Sequence, residues 1–235
     1  MVAVLFCAGI AAEGMLAREK VSGLIAAVDV ESGVLVASAG NVEERVLPLS
    51  LVKVMLAASL LEHGIEDGVH EMIAGGSDLA AKKLAVRLRN AVGAETVLAD
   101  VRRYGFTLTL PATASDEEWG TTLSIGESHL LVTPLEVARF FRTVDKRLQS
   151  ALLDAVERGS ARGIRSRVAG GRIGGKTGTG PNRVAPDSDG WFAGLIFDAR
   201  GEPRFAFATY VRKGGPGGGT AARVSADLAT ALLAR

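Results

Sequence analysis

Two short apolar runs, Gly23–Val30 and Val34–Ala39, are split by Glu31-Ser32-Gly33. That polar break ending in glycine predicts a β-hairpin. Ahead of it, Ala12 to Lys20 reads as a short helix. After Pro48 the pattern changes: from Leu49 to Leu61 the chain is apolar nearly all round, and Gly64 ends the run. A segment apolar on every face predicts a buried helix, here from Ser50 to about His63. Ser77-Asp78 reads as an N-cap opening a helix over Leu79 to Asn90, with a further helix from Ala94 to Tyr104. Pro111 to Thr122 is polar and irregular and predicts a loop. Thr133-Pro134 caps a helix reaching about Val144, with proline at its first position, and another covers roughly Gln149 to Arg158. The last third shortens its period. Arg172–Thr179, Gly190–Asp198 and Pro203–Arg212 predict three strands, and the glycine-rich bend Gly214 to Gly219 leads into a closing helix, Ala221 to Leu233.

Strands at both ends and helices between them predict an α+β fold. The expected core is a five-stranded antiparallel sheet flanked by terminal helices, with an all-helical lobe inserted between its halves. No repeat, long linker or low-complexity tract divides the chain. Residues 13–235 are therefore expected to form a single domain. Its α/β lobe takes about 13–45 plus 165–235, and its helical lobe about 46–164.

Composition narrows the picture slightly. At 235 residues, 48% hydrophobic and 23% charged, the chain can bury a full core like an ordinary soluble domain. A formal net charge of +1 gives no reason to expect nucleic acid or an anionic membrane as partner. Aromatics at 5% argue against a groove built to stack bases or sugars. With one cysteine, Cys7, an internal disulfide is impossible. Met1 to Ala12 is almost wholly apolar, too short to span a bilayer but fitting the core of a secretory leader. Gly9-Ile10-Ala11 supplies small residues for cleavage, although no basic segment precedes the run. Residues 1–12 are thus expected to be a signal-peptide remnant of an exported, periplasmic or cell-envelope protein; the other reading is a short buried strand or helix. No transmembrane span is expected.

Within the apolar helix two polar side chains stand out, Ser50 and Lys53. Separated by one turn, they share a face and lie within hydrogen-bonding reach. An ammonium buried without a partner tends to lose its proton, and a neutral amine beside a hydroxyl is a base beside a nucleophile. The start of the helix also aims backbone N–H groups at Ser50. A lone pair of this kind equally fits an N-cap serine with a lysine reaching to solvent.

A second element lifts the reading. In Ile173-Gly174-Gly175-Lys176-Thr177-Gly178-Thr179-Gly180, glycines weaken a strand unless another backbone must approach it. An extended peptide could pair along this edge, with Lys176, Thr177 and Thr179 facing a substrate carboxylate. The N–H groups of Thr179 and Ser50 could form an oxyanion hole. Gly170 to Thr177 also matches the phosphate-loop pattern G-x-x-x-x-G-K-S/T. That motif needs an apolar strand before it and a helix immediately after, whereas Gly178, Gly180 and Pro181 follow here. Nucleotide binding is the remote alternative.

Ser77-Asp78-Leu79 stands between the two. Alone, Ser77 reads as an N-cap. The order Ser-x-x-Lys, Ser-Asp-x, Lys-Thr-Gly is far more specific than any member, and it resembles the transpeptidase domain of penicillin-binding proteins. The resemblance extends from about residue 20 to 235. It takes in the first hairpin, Arg103-Tyr104-Gly105-Phe106, Leu123-Ser124-Ile125-Gly126-Glu127 through Val132 to Ala138, Asp189 to Gly194, and Gly217 to Ala222.

The resemblance implies a β-lactamase/transpeptidase-like fold in which Ser50 is acylated, Lys53 takes its proton and Ser77 relays a proton to the leaving amine. Lys176, Thr177, Gly178 and Thr179 form the substrate-binding strand. It further implies peptidoglycan stem peptides ending in D-Ala-D-Ala as substrate, β-lactams as covalent mimics, no metal or organic cofactor, and cell-envelope proteins as partners. Two departures stand out. Leu79 occupies the place where asparagine is usual, and the short interval from Ser50 to Ser77 implies a trimmed helical lobe. The deacylating Glu-x-x-Leu-Asn segment of class A β-lactamases is absent; Glu117 and Glu118 read as surface charges. Transpeptidase or carboxypeptidase activity is accordingly expected ahead of class D-like lactam hydrolysis. A low-turnover binding or regulatory protein of the same fold is the remaining alternative. His63, His70 and His129 lack spaced partners and read as structural, His70 in a loop.

Overall fold

The computed structural model describes residues 12–181 and 187–235. Most of the leader-like run, residues 1–11, lies outside them. Helix α1 (residues 12–18) leads into β1 (Ser22–Asp29) and β2 (Leu35–Ala39). A 3₁₀ turn (Leu49–Leu51) opens α2 (Val52–Glu62), and α3 (Val69–Gly75), α4 (Asp78–Val92) and α5 (Ala94–Arg103) follow. Next come β3 (Thr107–Leu108), α6 (Asp116–Ile125), β4 (Leu130–Leu131), α7 (Pro134–Phe141) and α8 (Lys146–Glu157). The chain closes with β5 (Gly171–Gly180), β6 (Asp189–Asp198), β7 (Pro203–Arg212) and α9 (Thr220–Leu233).

The main sheet has five strands in the order β2-β1-β7-β6-β5, and every neighbouring pair is antiparallel. Because successive side chains of a strand point to opposite faces, each strand feeds two cores. Ile25, Ala27, Phe192, Ile196 and Phe207 pack with Met15 and Leu16 of α1 and Val224, Leu228 and Leu232 of α9. Leu24, Ala26, Val28, Trp191, Ala193 and Leu195 pack instead against the helices inserted between β2 and β5. The expected α+β architecture, with terminal helices on one face of a five-stranded antiparallel sheet, is the one observed.

Helix α2 runs through the middle of the inserted lobe with every residue from Val52 to Leu61 buried. Two helices were not legible in the pattern. Pro111 to Thr122 is not a loop throughout: α6 begins at Asp116, capped by a reciprocal Ser115–Glu118 box. Three acidic residues at the positive end of that helix make the segment look polar, while Trp119 and Leu123 turn inward. His70 lies in α3 instead of a loop; that helix has only seven residues between Gly68 and Gly76, both left-handed, too few to reveal a period.

Strand β5 forms the edge of the sheet next to β6. Residues matching the phosphate-loop pattern lie almost wholly inside this antiparallel strand, so they form no loop entering a helix. A β-carbon at Gly174 would sit 3.1 Å from the backbone nitrogen of Leu153, and α8 covers this half of the edge. The far half, from Lys176 onward, faces the start of α2.

Candidate active site

Ser50 sits in the 3₁₀ turn ahead of α2, and two hydrogen bonds tie that turn down. The indole nitrogen of Trp191 donates to the carbonyl of Leu47 at 2.8 Å. The amide of Leu49 donates to the carbonyl of Gly126 at 3.1 Å. Leu49 itself holds a left-handed backbone, φ 53°, a costly conformation for a residue with a branched side chain. Gly126, also left-handed, must be glycine, because a β-carbon there would lie 2.3 Å from the oxygen of Leu49. The turn leaves Ser50 8% exposed and Lys53, one helical turn on, 1% exposed.

Lys53 Nζ donates to Ser50 Oγ at 3.2 Å, placing amine and hydroxyl together as the spacing predicts. It also donates to the Oδ1 of Asp78, the first residue of α4. This corrects one expectation. Lys53 has an acidic partner, and an adjacent carboxylate favours the ammonium over the neutral amine.

The second motif is also corrected. Ser77 is the N-cap of α4: its Oγ accepts from the amide of Ala80 at 3.2 Å, and the residue is exposed. Leu79 is 64% exposed. Gly76 lines the cleft and Asp78 reaches Lys53, whereas Ser77 caps the helix and Leu79 is turned to solvent. A β-carbon on Gly76 would stand 3.6 Å from Lys176 Nζ. Where a serine was expected to relay a proton, the position beside Lys176 carries no side chain.

On β5, Lys176 is 5% and Thr177 8% exposed. Lys176 Nζ donates to the carbonyl of Thr177 at 3.2 Å. Thr177 Oγ1 shares a 2.5 Å hydrogen bond with Ser160 Oγ, from the segment after α8. Thr179 Oγ1 accepts from the amide of Gly217 at 3.0 Å. Gly178 departs from its expected role: it faces Leu49 and Trp191, and a β-carbon there would lie 3.2 Å from the Cβ of each. Its missing side chain makes room for the turn that carries Ser50.

Ser50, Lys176, Thr177 and Thr179 open together onto a cavity of about 260 Å³, floored by Ile73 to Gly76 and walled by Ala155, Ser160 and Pro216. The cleft therefore offers a buried hydroxyl, an ammonium and two further hydroxyls to one bound molecule. That set can carry acyl transfer to Ser50 with an anionic group held by Lys176. Among the described residues no group of three or more histidine, cysteine, aspartate or glutamate side chains could hold a metal, and no helix is long and apolar enough to cross a membrane. Sequence reasoning missed Asp78 as a contact of Lys53 although a buried ammonium demands a counter-charge. Ser160 gave no signal, since only the tertiary fold brings it to Thr177.

No protein-family model matches the chain, and no curated protein does either. Solved structures do. The PBP2 of Pseudomonas aeruginosa, in complex with WCK 5153, superposes with a TM-score of 0.77 at 19% identity, covering 96% of this chain and 76% of that one. The transpeptidase domain of Burkholderia pseudomallei penicillin-binding protein 3, in its apo form, gives 0.76 at 15% identity over 100% and 95%. A chain of a peptidoglycan synthase complex gives 0.76 at 18% identity over 97% of this chain and 61% of the other. The fold is that of a penicillin-binding protein transpeptidase domain.

Proposed function

We propose that the chain is a serine acyltransferase acting on peptidoglycan stem peptides, a D-Ala-D-Ala transpeptidase or carboxypeptidase, and that β-lactams acylate it. One observation carries the reading: within a transpeptidase fold, Ser50 with Lys53 beneath it opens onto the same cleft as Lys176 and Thr177. Ser50 Oγ attacks the penultimate carbonyl and passes its proton to Lys53 in the neutral-amine form. Lys176, Thr177 and Thr179 hold the terminal carboxylate. The amides of Ser50 and Thr179 are the assigned donors to the oxyanion. Ser77 has no part, because its hydroxyl is committed to capping α4. Peptidoglycan as substrate implies action outside the cytoplasm, alongside other cell-envelope proteins.

A second reading rests on Gly76. Without a hydroxyl beside Lys176, protonation of the leaving amine lacks its expected donor, which favours slow turnover and a β-lactam-binding or regulatory role. Intact-mass spectrometry after incubation with a fluorescent penicillin separates these readings. A single adduct on the wild type, absent from Ser50→Ala, is expected; no adduct on either sinks the acylation reading. The adduct's lifetime distinguishes the rest: clearance in seconds means a lactamase, persistence a transpeptidase or sensor.

A further inference from the structure

Three features of the cleft bear on how Lys53 acts. Its side chain is 1% exposed, whereas that of its partner Asp78 is 40% exposed. The carboxylate thus keeps part of its hydration, while the contact with it favours the charged form of the buried amine. Asp78 also stands in the first turn of α4, where the positive end of the helix favours an anion. And with Gly76 bare and Ser77 turned out, no side-chain hydroxyl of this segment stands between Lys53 and Lys176.

We propose that Asp78 is a positioning residue that holds Lys53 as an ammonium in the resting protein, so that Ser50 is acylated only from the minority of molecules in which Lys53 has given up a proton. This rests on the reading of Ser50 as the nucleophile. The Lys53 ammonium first releases a proton to bulk water. The Ser50 hydroxyl proton then moves to Lys53 Nζ as the Oγ–carbonyl bond forms. The carbonyl–nitrogen bond of the lactam or peptide breaks, and its nitrogen takes that proton. Atoms and charge balance with water as the only further participant.

Further ionisable groups stand near the pair among the described residues. Lys176 of β5 lies beside Gly76, Glu71 of α3 lies against Gly75, and Glu127 lies by Gly180. On α2 and the helices packed around it, Asp100 is held by Ser59, His63 and Arg103, and Glu62 by Arg103. Lys82 pairs with Glu117, and Asp154 with His70 and Arg158. Lys176, as a second cation, opposes the charge on Lys53, whereas Asp78 is a carboxylate in direct contact with it and favours that charge.

The test uses two readouts on the intact chain. Lysine carbons labelled with ¹³C at Cε report each amine's ionisation by NMR, the Lys53 signal being the one lost in Lys53→Arg. The wild-type signal should remain that of an ammonium at neutral pH, and in Asp78→Asn its titration midpoint should fall by about one to three units. Labelling of Ser50 by the fluorescent penicillin should rise about tenfold for each unit of pH below the midpoint in the wild type. At neutral pH Asp78→Asn should label about tenfold to a thousandfold faster. A wild-type Lys53 already neutral at pH 7, or the same midpoint in both proteins, overturns the proposal. So does an Asp78→Asn that is folded by circular dichroism and labels no faster. Where Asp78→Asn fails to fold, the wild-type signal and pH profile decide alone. A shifted midpoint without any adduct upholds the role of Asp78 and sinks the acylation reading instead.

Discussion

The indole of Trp191 and the carbonyl of Leu47 meet at 2.8 Å although 144 residues separate them in sequence. This single bond ties β6 of the sheet to the segment that enters the turn carrying Ser50. Trp191 is fully buried and lies 4.9 Å, ring to ring, from Tyr210. Replacing it by phenylalanine keeps most of the packing and removes the donor. The half-buried Leu47 carbonyl then loses its partner, a loss of about 1 kcal/mol. Trp191→Phe should melt several degrees lower and label at Ser50 more slowly than its folded fraction accounts for. Labelling at the wild-type rate would mean the bond serves only the core.

Gly126 offers a cleaner probe of the same turn. Its φ of 70° and the 2.3 Å approach of a β-carbon to the oxygen of Leu49 are separate penalties. Gly64 shares the first, at φ 73°, and has nothing within 4 Å to clash with. Gly64→Ala should therefore lose only the backbone penalty, about 1 kcal/mol. Gly126→Ala should lose clearly more and displace Ser50. Denaturant melts of both variants, with penicillin labelling of the folded protein, check this. Equal losses would show that the contact with Leu49 relaxes at no cost.

Ser160 and Thr177 share a hydrogen bond at the cleft wall, away from the Ser50–Lys53 contact. Ser160→Ala should weaken reversible binding of a penicillin by about twofold to tenfold, the value of one hydrogen bond, and leave the first-order acylation step unchanged. Lys176→Met removes the buried side chain proposed to hold the substrate carboxylate and should cost considerably more in binding. Stopped-flow labelling against penicillin concentration separates the two constants. A change confined to the acylation step in Ser160→Ala would place that hydroxyl in the chemistry itself.

The five strands of the main sheet were legible because they alternate or run apolar between turn residues, and their ends fall within a few residues of the expected ones; the two-residue strands β3 and β4 are too short to show a pattern. Ser50 and Lys53 were legible because two polar groups in an apolar helix are conspicuous. Local pattern misled where function and capping compete for the same residue. Ser77 satisfies the N-terminus of α4, which rotates it out of the cleft and brings Gly76 and Asp78 in. A glycine offers no side chain to notice, and Asp78 read as an ordinary first-turn acid. The partnership of Asp78 with Lys53 and of Ser160 with Thr177 arises from packing between distant elements, which no local spacing encodes.

Behind the cleft, Asp100 of α5 is 6% exposed and binds Ser59 of α2 and His63 just after it. Burial pushes its carboxyl up, but hydrogen bonds from Ser59, His63 and Arg103 outweigh that and hold it below the usual carboxylate value. Ser59 Oγ donates at 2.6 Å, His63 Nε2 lies at 2.9 Å and Arg103 at 2.7 Å. A group depressed in the folded state contributes stability above its unfolded value, about 3.9, and loses it as pH falls through the lower folded value. Wild-type melting temperature should hence fall on acidification below about pH 4, the unfolded value. Asp100→Asn keeps the shape and discards the charge. It should be less stable by about 2 kcal/mol at neutral pH, the scale of a hydrogen bond to a charged group. Because it has no proton to take up, its acid slope should be shallower than that of the wild type. Thermal melts from neutral pH down to strongly acidic buffer measure both quantities. Parallel slopes would mean that other carboxylates drive the acid transition and that the ties from Asp100 to α2 do not depend on its charge.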